Sequence, residues 1–249
     1  MRLLAPCVAS LLTLSLAAQD DHAARWRIGL GLGAGTLDFN DDLPTNGDSN
    51  AAGAFRLGFE GTSSRGFGGG LRVESFAAED LEFGGSTNDF DVGFASMFGH
   101  FTYRVQSHRF AMPVRIGPMV HVLTKDDTTS VVDDTQTHST FGVMTEIAPE
   151  FTLARRGNTT WTLYGELGLG AGGTLVERDD VDDEWDSSSV FTGLELGTRV
   201  YLGVCELSLA YVGRWQSMDE SDPGDLGGPR QPGYDASFHG ALLGFAVVF

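Results

Sequence analysis

The chain has 249 residues, which is enough for one sizeable all-β domain or two small ones. Its net charge of −18 argues against nucleic acid as a partner, because phosphates demand a basic surface. The cysteines, Cys7 and Cys205, offer neither a disulfide framework nor a cluster with zinc-ligand spacing, and we expect no cofactor.

The first seventeen residues have the features of a secretory signal. Arg2 supplies a positive start, residues 3–16 form a short apolar run, and Ser15 and Ala17 are small residues at positions −3 and −1 of a cut after Ala17. The run falls short of the roughly 18 to 20 apolar residues that a spanning helix needs. The sequence therefore predicts a cleaved signal peptide over 1–17 and one exported domain over 18–249.

Ten later segments alternate polar and apolar residues with period two, the pattern of half-buried β-strands. Helices are a poor alternative, because Gly29, Gly31 and Gly33 recur at every second position and a glycine inside a helix costs about 1 kcal/mol relative to alanine. The predicted strands cover 25–37, 51–61, 66–77, 90–105, 109–124, 140–154, 159–176, 189–202, 204–217 and 236–249.

The fourth predicted strand is irregular. Its apolar residues occupy even positions over 90–94 and odd positions over 97–103, so the face that they mark changes. We expect a β-bulge near Ala95 and Ser96, since one extra residue reverses the alternation.

The connections between the strands alternate in length. The links at 62–65, 106–108, 155–158 and Gly203 are short, and the other five are long, polar and hold most of the 34 acidic residues. Short turns at one end and long loops at the other are typical of bacterial outer-membrane barrels, in which the turns are periplasmic and the loops extracellular. The sorted charge favours this arrangement over a soluble β-sandwich.

The last ten residues, 240–249, place Leu243, Phe245, Val247 and Phe249 at alternate positions and end on an aromatic residue. This resembles the closing strand of small outer-membrane β-barrel proteins of the OmpA/OmpX/OmpW type. The resemblance implies location in the outer membrane and recognition of these four residues by the barrel-assembly machinery. We predict an all-β fold, a closed up-and-down antiparallel transmembrane barrel of about ten strands, with eight or twelve as the alternatives.

Strand parity assigns a set of charged side chains to the barrel lumen, because an arginine facing lipid at mid-bilayer costs about 2 to 4 kcal/mol. Inside a narrow barrel, opposite charges must pair or be solvated. We interpret the set as a structural network that fills the lumen, and the alternatives are a gated ion pathway or a catalytic site. The predicted lumen residues are Arg27, Arg56, Glu60, Arg72, Glu74, Arg115, His121, Glu146, Glu150, Glu166, Glu195, Arg199, Glu206 and Arg214.

Catalytic and metal-binding patterns are weak. The closest match to the acid–histidine pairs of omptin-type proteases is Asp235, four residues before His239. His138 is the only histidine followed directly by a serine, Ser139. The aspartates of the fourth long loop could ligate Ca²⁺ or Mg²⁺, but a run of charge is more simply a solvated loop. We expect no enzyme and no metal centre. The metal candidates are Asp179, Asp180, Asp182 and Asp183.

Three functions remain open from the sequence. The first is a structural or surface-interaction barrel that displays acidic extracellular loops, as a monomer in contact with outer-membrane lipid and with divalent cations as candidate loop ligands. The second is a narrow, porin-like channel for small solutes or ions. The third is an outer-membrane hydrolase or acyltransferase.

Overall fold

The computed structural model describes residues 25–41, 47–82, 89–127, 135–179 and 181–249. The predicted signal peptide lies outside these ranges. All regular elements in the described ranges are β-strands. In the same ranges, no helix long and apolar enough to span a membrane is present.

The strands form one closed barrel. β1 pairs with β2 on one side and with β11 on the other, and all neighbours are antiparallel. β6 and β7 both lie between β5 and β8, so they are two parts of one barrel strand interrupted at Ala148 and Pro149. The predicted closed ten-strand up-and-down barrel is therefore confirmed. The strands are β1 Arg25–Asp41, β2 Gly47–Thr62, β3 Phe67–Glu82, β4 Asp89–Gln106, β5 Phe110–Asp127, β6 Thr135–Ile147, β7 Glu150–Arg156, β8 Thr159–Arg178, β9 Val181–Leu202, β10 Cys205–Met218 and β11 Tyr234–Val248.

The barrel has two different ends. At one, which we call the turn end, the links 63–66, 107–109, 157–158 and 203–204 are tight. Gly157 and Gly203 have φ of 57° and 66°, the left-handed region that two-residue hairpin turns require and that glycine adopts without strain. The start of β1 and the end of β11 also lie at the turn end. The opposite end, where the other connections lie, is the loop end.

The outer wall is apolar. Large side chains such as Leu209, Leu243 and Phe141 are more than half exposed, which is unusual for a protein in water and normal for a wall that faces lipid. Aromatic pairs ring the turn end, as at the interfaces of transmembrane barrels. Ring centroids lie 5.5 Å apart for Trp26 and Phe59, 4.9 Å for Phe67 and Tyr103, and 5.1 Å for Phe110 and Phe151.

The bulge expected near Ala95 and Ser96 is wrong. The register of β4 against β5 shows no shift there, and β4 keeps one parity throughout. Phe94 and Phe98 face the lumen and are buried, whereas Phe101 faces outward. The apolar face changes because the lumen itself is apolar toward the loop end. The register shift lies in β3, between Ala78 and Leu81.

Several strands continue past their predicted ends at the loop end. β8 extends to Arg178 and β9 begins at Val181, so the predicted fourth long loop is mostly a hairpin. Alternation continues through its acidic residues: Asp183 is buried, while Glu184 and Asp186 are exposed. The sequence did not predict these strand ends because their outward residues are polar. Above the apolar band of the wall, apolar and polar residues no longer alternate.

Candidate functional site: the barrel lumen

Two layers of different chemistry fill the lumen. The charged layer, built by arginines and glutamates, extends from the turn end to the middle of the barrel. The apolar layer above it extends to the loop end and includes Phe76, Phe94, Phe238 and Leu123. All predicted lumen residues face the interior, and all except His121 take part in the ion pairs described below.

Glu74 is the centre of the charged layer. Arg214 donates to both of its oxygens at 2.9 and 3.0 Å, Arg56 lies 2.6 Å from Oε1, and Nε of Arg72 lies 3.5 Å away. Glu74 is almost completely buried. A buried carboxylate is stable only when such partners replace its lost water.

A second cluster joins the opposite wall. Arg72 and Arg115 each contact both Glu146 and Glu166. The distances are 2.7 Å from Arg72 to Glu166 and 3.1 Å from Arg115 to Glu166. Arg115 also reaches Glu60 at 2.9 Å. Each planar guanidinium thus bridges carboxylates from different strands, a role for which the arginine fork is well suited.

Glu195 connects these clusters to an aromatic side chain. It lies 2.7 Å from Arg56 and 3.6 Å from Arg214, and it accepts a 2.6 Å hydrogen bond from the hydroxyl of Tyr164. The guanidinium carbon of Arg199 lies 3.6 Å from the centroid of the Tyr164 ring, a cation–π contact. The partners of Glu195 therefore come from strands other than its own.

The pairs nearest the turn end share carboxylates. Glu150 lies 2.9 Å from Arg104 and 2.6 Å from Arg199, and Glu206 lies 2.7 Å from Arg27. Arg199 also approaches Glu206 at 3.6 Å. The distances show a continuous network and not a set of isolated pairs.

Sequence reasoning missed Arg104 and Arg25. Arg104 has the inward, even parity of β4 and follows the outward Tyr103, so alternation in this half of the strand would have found it. Arg25 opens β1 and shares the parity of Arg27, so the same alternation would have placed it inward. Its guanidinium lies 4.6 Å from the centroid of the Tyr201 ring.

The apolar layer closes the bore above this network. The ring centroid of Phe76 lies 4.9 Å from that of Phe94 and 4.3 Å from that of Phe238, in tilted pairs, and all three side chains are buried. His121 lies between Phe94 and Phe191, at 5.3 and 4.8 Å. A cavity of about 40 Å³ lies where the two layers meet. One water needs about 10 to 15 Å³, so this space holds only a few waters.

Residues 219–233, between β10 and β11, fold over the loop end, and we call them the cover. Asp183 accepts hydrogen bonds from the backbone N–H groups of Leu226 at 2.9 Å and Gly228 at 3.2 Å. The indole N–H of Trp185 donates to the carbonyl oxygen of Pro229 at 2.9 Å. Because Asp183 and Trp185 face the lumen from β9, these bonds hold the cover against the mouth of the barrel.

The metal candidates do not assemble into a described site. The carboxylate of Asp183 is engaged by the cover and Asp179 is exposed. Asp180 and the side chain of Asp182 lie outside the described residues. Within the described ranges, no group of three or more histidine, cysteine, aspartate or glutamate side chains is placed to hold a metal ion.

The catalytic candidates lie in separate places. His239 is on the outer wall, where its Nδ1 lies 2.9 Å from the hydroxyl of Tyr211. His138 is buried, with Nδ1 3.4 Å from the sulfur of Met218 and its ring edge-on to Tyr234. Neither histidine has a serine or acid partner among these contacts.

No family model and no curated protein sequence matches this chain. Solved structures do match. The outer membrane protease OmpT of Escherichia coli is 8% identical, with a TM-score of 0.55 over 91% of this chain and 96% of that chain. The translocator domain of the autotransporter NalP from Neisseria meningitidis is 8% identical, with a TM-score of 0.39 over 96% and 93%. The Pseudomonas putida toluene transporter TodX is 10% identical, with a TM-score of 0.34 over 96% and 93%. The likeness to OmpT supports the barrel fold alone.

Proposed function

We propose that this protein is an outer-membrane barrel with a sealed lumen, a non-enzymatic wall that displays an acidic extracellular surface for interaction. The observation that carries the proposal is the apolar layer. Side chains from many strands, among them Leu37, Leu81, Val92, Leu123 and Phe238, are almost inaccessible and meet across the bore. An ion or polar solute would have to leave its water to cross this layer, which is costly.

The charged layer supports a structural role. It joins opposite walls of the barrel by charge-assisted hydrogen bonds. Removing one partner of such a buried pair costs more folding stability than removing one partner of a surface pair, since the remaining buried charge is left without a counterion.

The exposed surface of the loop end supports an interaction role. Asp186, Asp219, Asp222, Asp225 and Asp235 are all exposed there. An acidic surface attracts basic partners or divalent cations, and it repels other anions. The proposed setting is a monomer in outer-membrane lipid, inserted by the barrel-assembly machinery through the segment that ends at Phe249.

The native Cys205 provides a test of location and orientation. It lies at the turn end, and it is the only cysteine in the part of the chain that the structure describes. A membrane-impermeant maleimide should not label Cys205 in intact cells but should label a Cys205→Ser/Asp225→Cys variant, whose thiol lies in the exposed cover. Lysed cells serve as the control in which both are accessible to the reagent. Labelling of Cys205 in intact cells, or failure to label the variant, would overturn the proposed orientation.

A further inference from the structure

The turn-end opening of the lumen contains a small cavity with an unbalanced charge. Its volume is about 30 Å³, and it lies among the turn-end portions of β1, β2, β4, β5 and β9, with Glu150 from the start of β7. Its charged lining is Arg25, Arg27, Arg104, Arg115, Arg199, Glu60 and Glu150. Glu206 binds Arg27, and Glu146 and Glu166 reach Arg115 from the middle of the barrel. Among the described residues of the charged layer, eight arginines therefore face seven glutamates, an excess of one arginine.

Once the ion pairs are assigned, the excess positive charge lies on Arg25. Arg115 is matched by Glu60 at 2.9 Å. Glu150 and Glu206 are then shared among Arg27, Arg104 and Arg199. In the part of the chain that the structure describes, Arg25 makes no ion pair. Its guanidinium lies over the Tyr201 ring and within hydrogen-bonding reach of that side chain.

Two of the arginines also have N–H groups without an acceptor. Nε of Arg104 and Nε of Arg199 are buried and make no hydrogen bond. Oε1 of Glu206 lies 3.6 Å from Nε of Arg199, which is too long for a good hydrogen bond. A buried charged donor without an acceptor is costly, so an anion that supplied one would be stabilised here.

We propose that this cavity is a binding site for a small oxyanion of the phosphate class, held by Arg25, Arg104 and Arg199. Guanidinium groups match tetrahedral oxyanions because their N–H groups can donate to two oxygens at once. A volume of about 30 Å³ corresponds to two or three water positions, so the site takes an inorganic ion and excludes an organic anion. This site is independent of the proposed surface role, and it does not require the lumen to conduct.

The test is isothermal titration of inorganic phosphate into the detergent-folded protein in phosphate-free, low-chloride buffer. We expect one phosphate per barrel for the native chain and binding at least tenfold weaker for Arg25→Gln. Arg25 is chosen because its removal strands no carboxylate. Arg156→Gln is the matched control, since Arg156 is exposed at the last position of β7 at the same end and lies outside the cavity.

Absence of binding by the native chain would overturn the proposal. Equal weakening by Arg25→Gln and Arg156→Gln would also overturn it, because general attraction to a basic end would then explain the binding. If Arg25→Gln does not fold, the melting temperature of the native chain decides. Phosphate should raise it progressively with concentration, as a ligand of the folded state does, and chloride at equal ionic strength should not.

Discussion

Arg214 and Glu74 face each other across the lumen, 140 residues apart in the chain, with two parallel hydrogen bonds of 2.9 and 3.0 Å between them. Arg214 is on β10 and Glu74 on β3, and three strands separate these in the barrel. The bond therefore ties walls that no backbone ladder joins. Both side chains are buried, so this contact belongs to the interior of the protein and not to its solvated surface.

The first prediction concerns this contact. Glu74→Gln removes the charge that Arg56, Arg72 and Arg214 share, and it should lower the free energy of unfolding by about 3 kcal/mol or more. The measurement is urea unfolding in lipid vesicles, with gel mobility of unboiled samples over a temperature series as a second readout. Glu177→Gln, the same change at an exposed outward position of β8, is the control and should have little effect. Equal unfolding curves for the two variants would refute a structural role for the network.

The second prediction concerns the outer wall. Leu209→Arg puts a charge within the apolar band and should make folding into vesicles less favourable by about 2 to 4 kcal/mol. Leu226→Arg is the control, because Leu226 is 77% exposed but lies in the cover. If both variants insert equally well, the exposed leucines of the wall do not face lipid.

The third prediction concerns the cover. Asp183→Ala removes the acceptor of the Leu226 and Gly228 N–H groups, so the cover should open more often and trypsin should cleave after Arg230 several-fold faster. Asp225→Ala is the control, since Asp225 is an exposed acid within the cover itself. Rates of cleavage that do not differ between the two variants would show that Asp183 does not hold the cover.

The fourth prediction concerns assembly. Phe249 and Trp26 exchange backbone hydrogen bonds of 2.7 and 2.9 Å where the barrel closes, and Phe249→Ala leaves these bonds in place. If the aromatic side chain is an assembly signal, the variant should accumulate several-fold less barrel in cell envelopes but refold normally in detergent. Val248→Ala, one residue away on the inward face, should behave like the native chain. A refolding defect equal to the defect in cells would assign Phe249 to stability and not to recognition.

The sequence predicted the wall better than it predicted the contents of the bore. Alternation identified the strand order and placed residues such as Glu166 and Arg199 inward, because one apolar face and one polar face leave a clear pattern. The pattern failed for Phe94, because the inward residues of β4 near the loop end are apolar while the outward Asp91 and Gly93 are polar or small, so the two faces look exchanged. It also failed for Asp183. Above the apolar band both faces of a strand carry polar residues, so the sequence does not distinguish an inward aspartate from an outward one.

The partners of the lumen charges could not be predicted for a different reason. Alternation gives the face of a side chain but not what it meets across the barrel. Glu195 and Arg199 lie on the same strand, yet Glu195 binds Arg56 and Arg199 binds Glu150. Such contacts depend on the curvature and register of the closed barrel, which no local segment encodes.

The central claim is that the apolar layer seals the lumen, and single-channel conductance in planar lipid bilayers tests it most directly. The native barrel should show no steady conductance, whereas a Phe76→Ala/Phe94→Ala/Phe238→Ala variant should admit ions, because removing three packed rings opens the layer to water. The variant thus shows that inserted barrels are detected. A steady conductance from the native barrel would contradict the sealed lumen and would favour the channel instead.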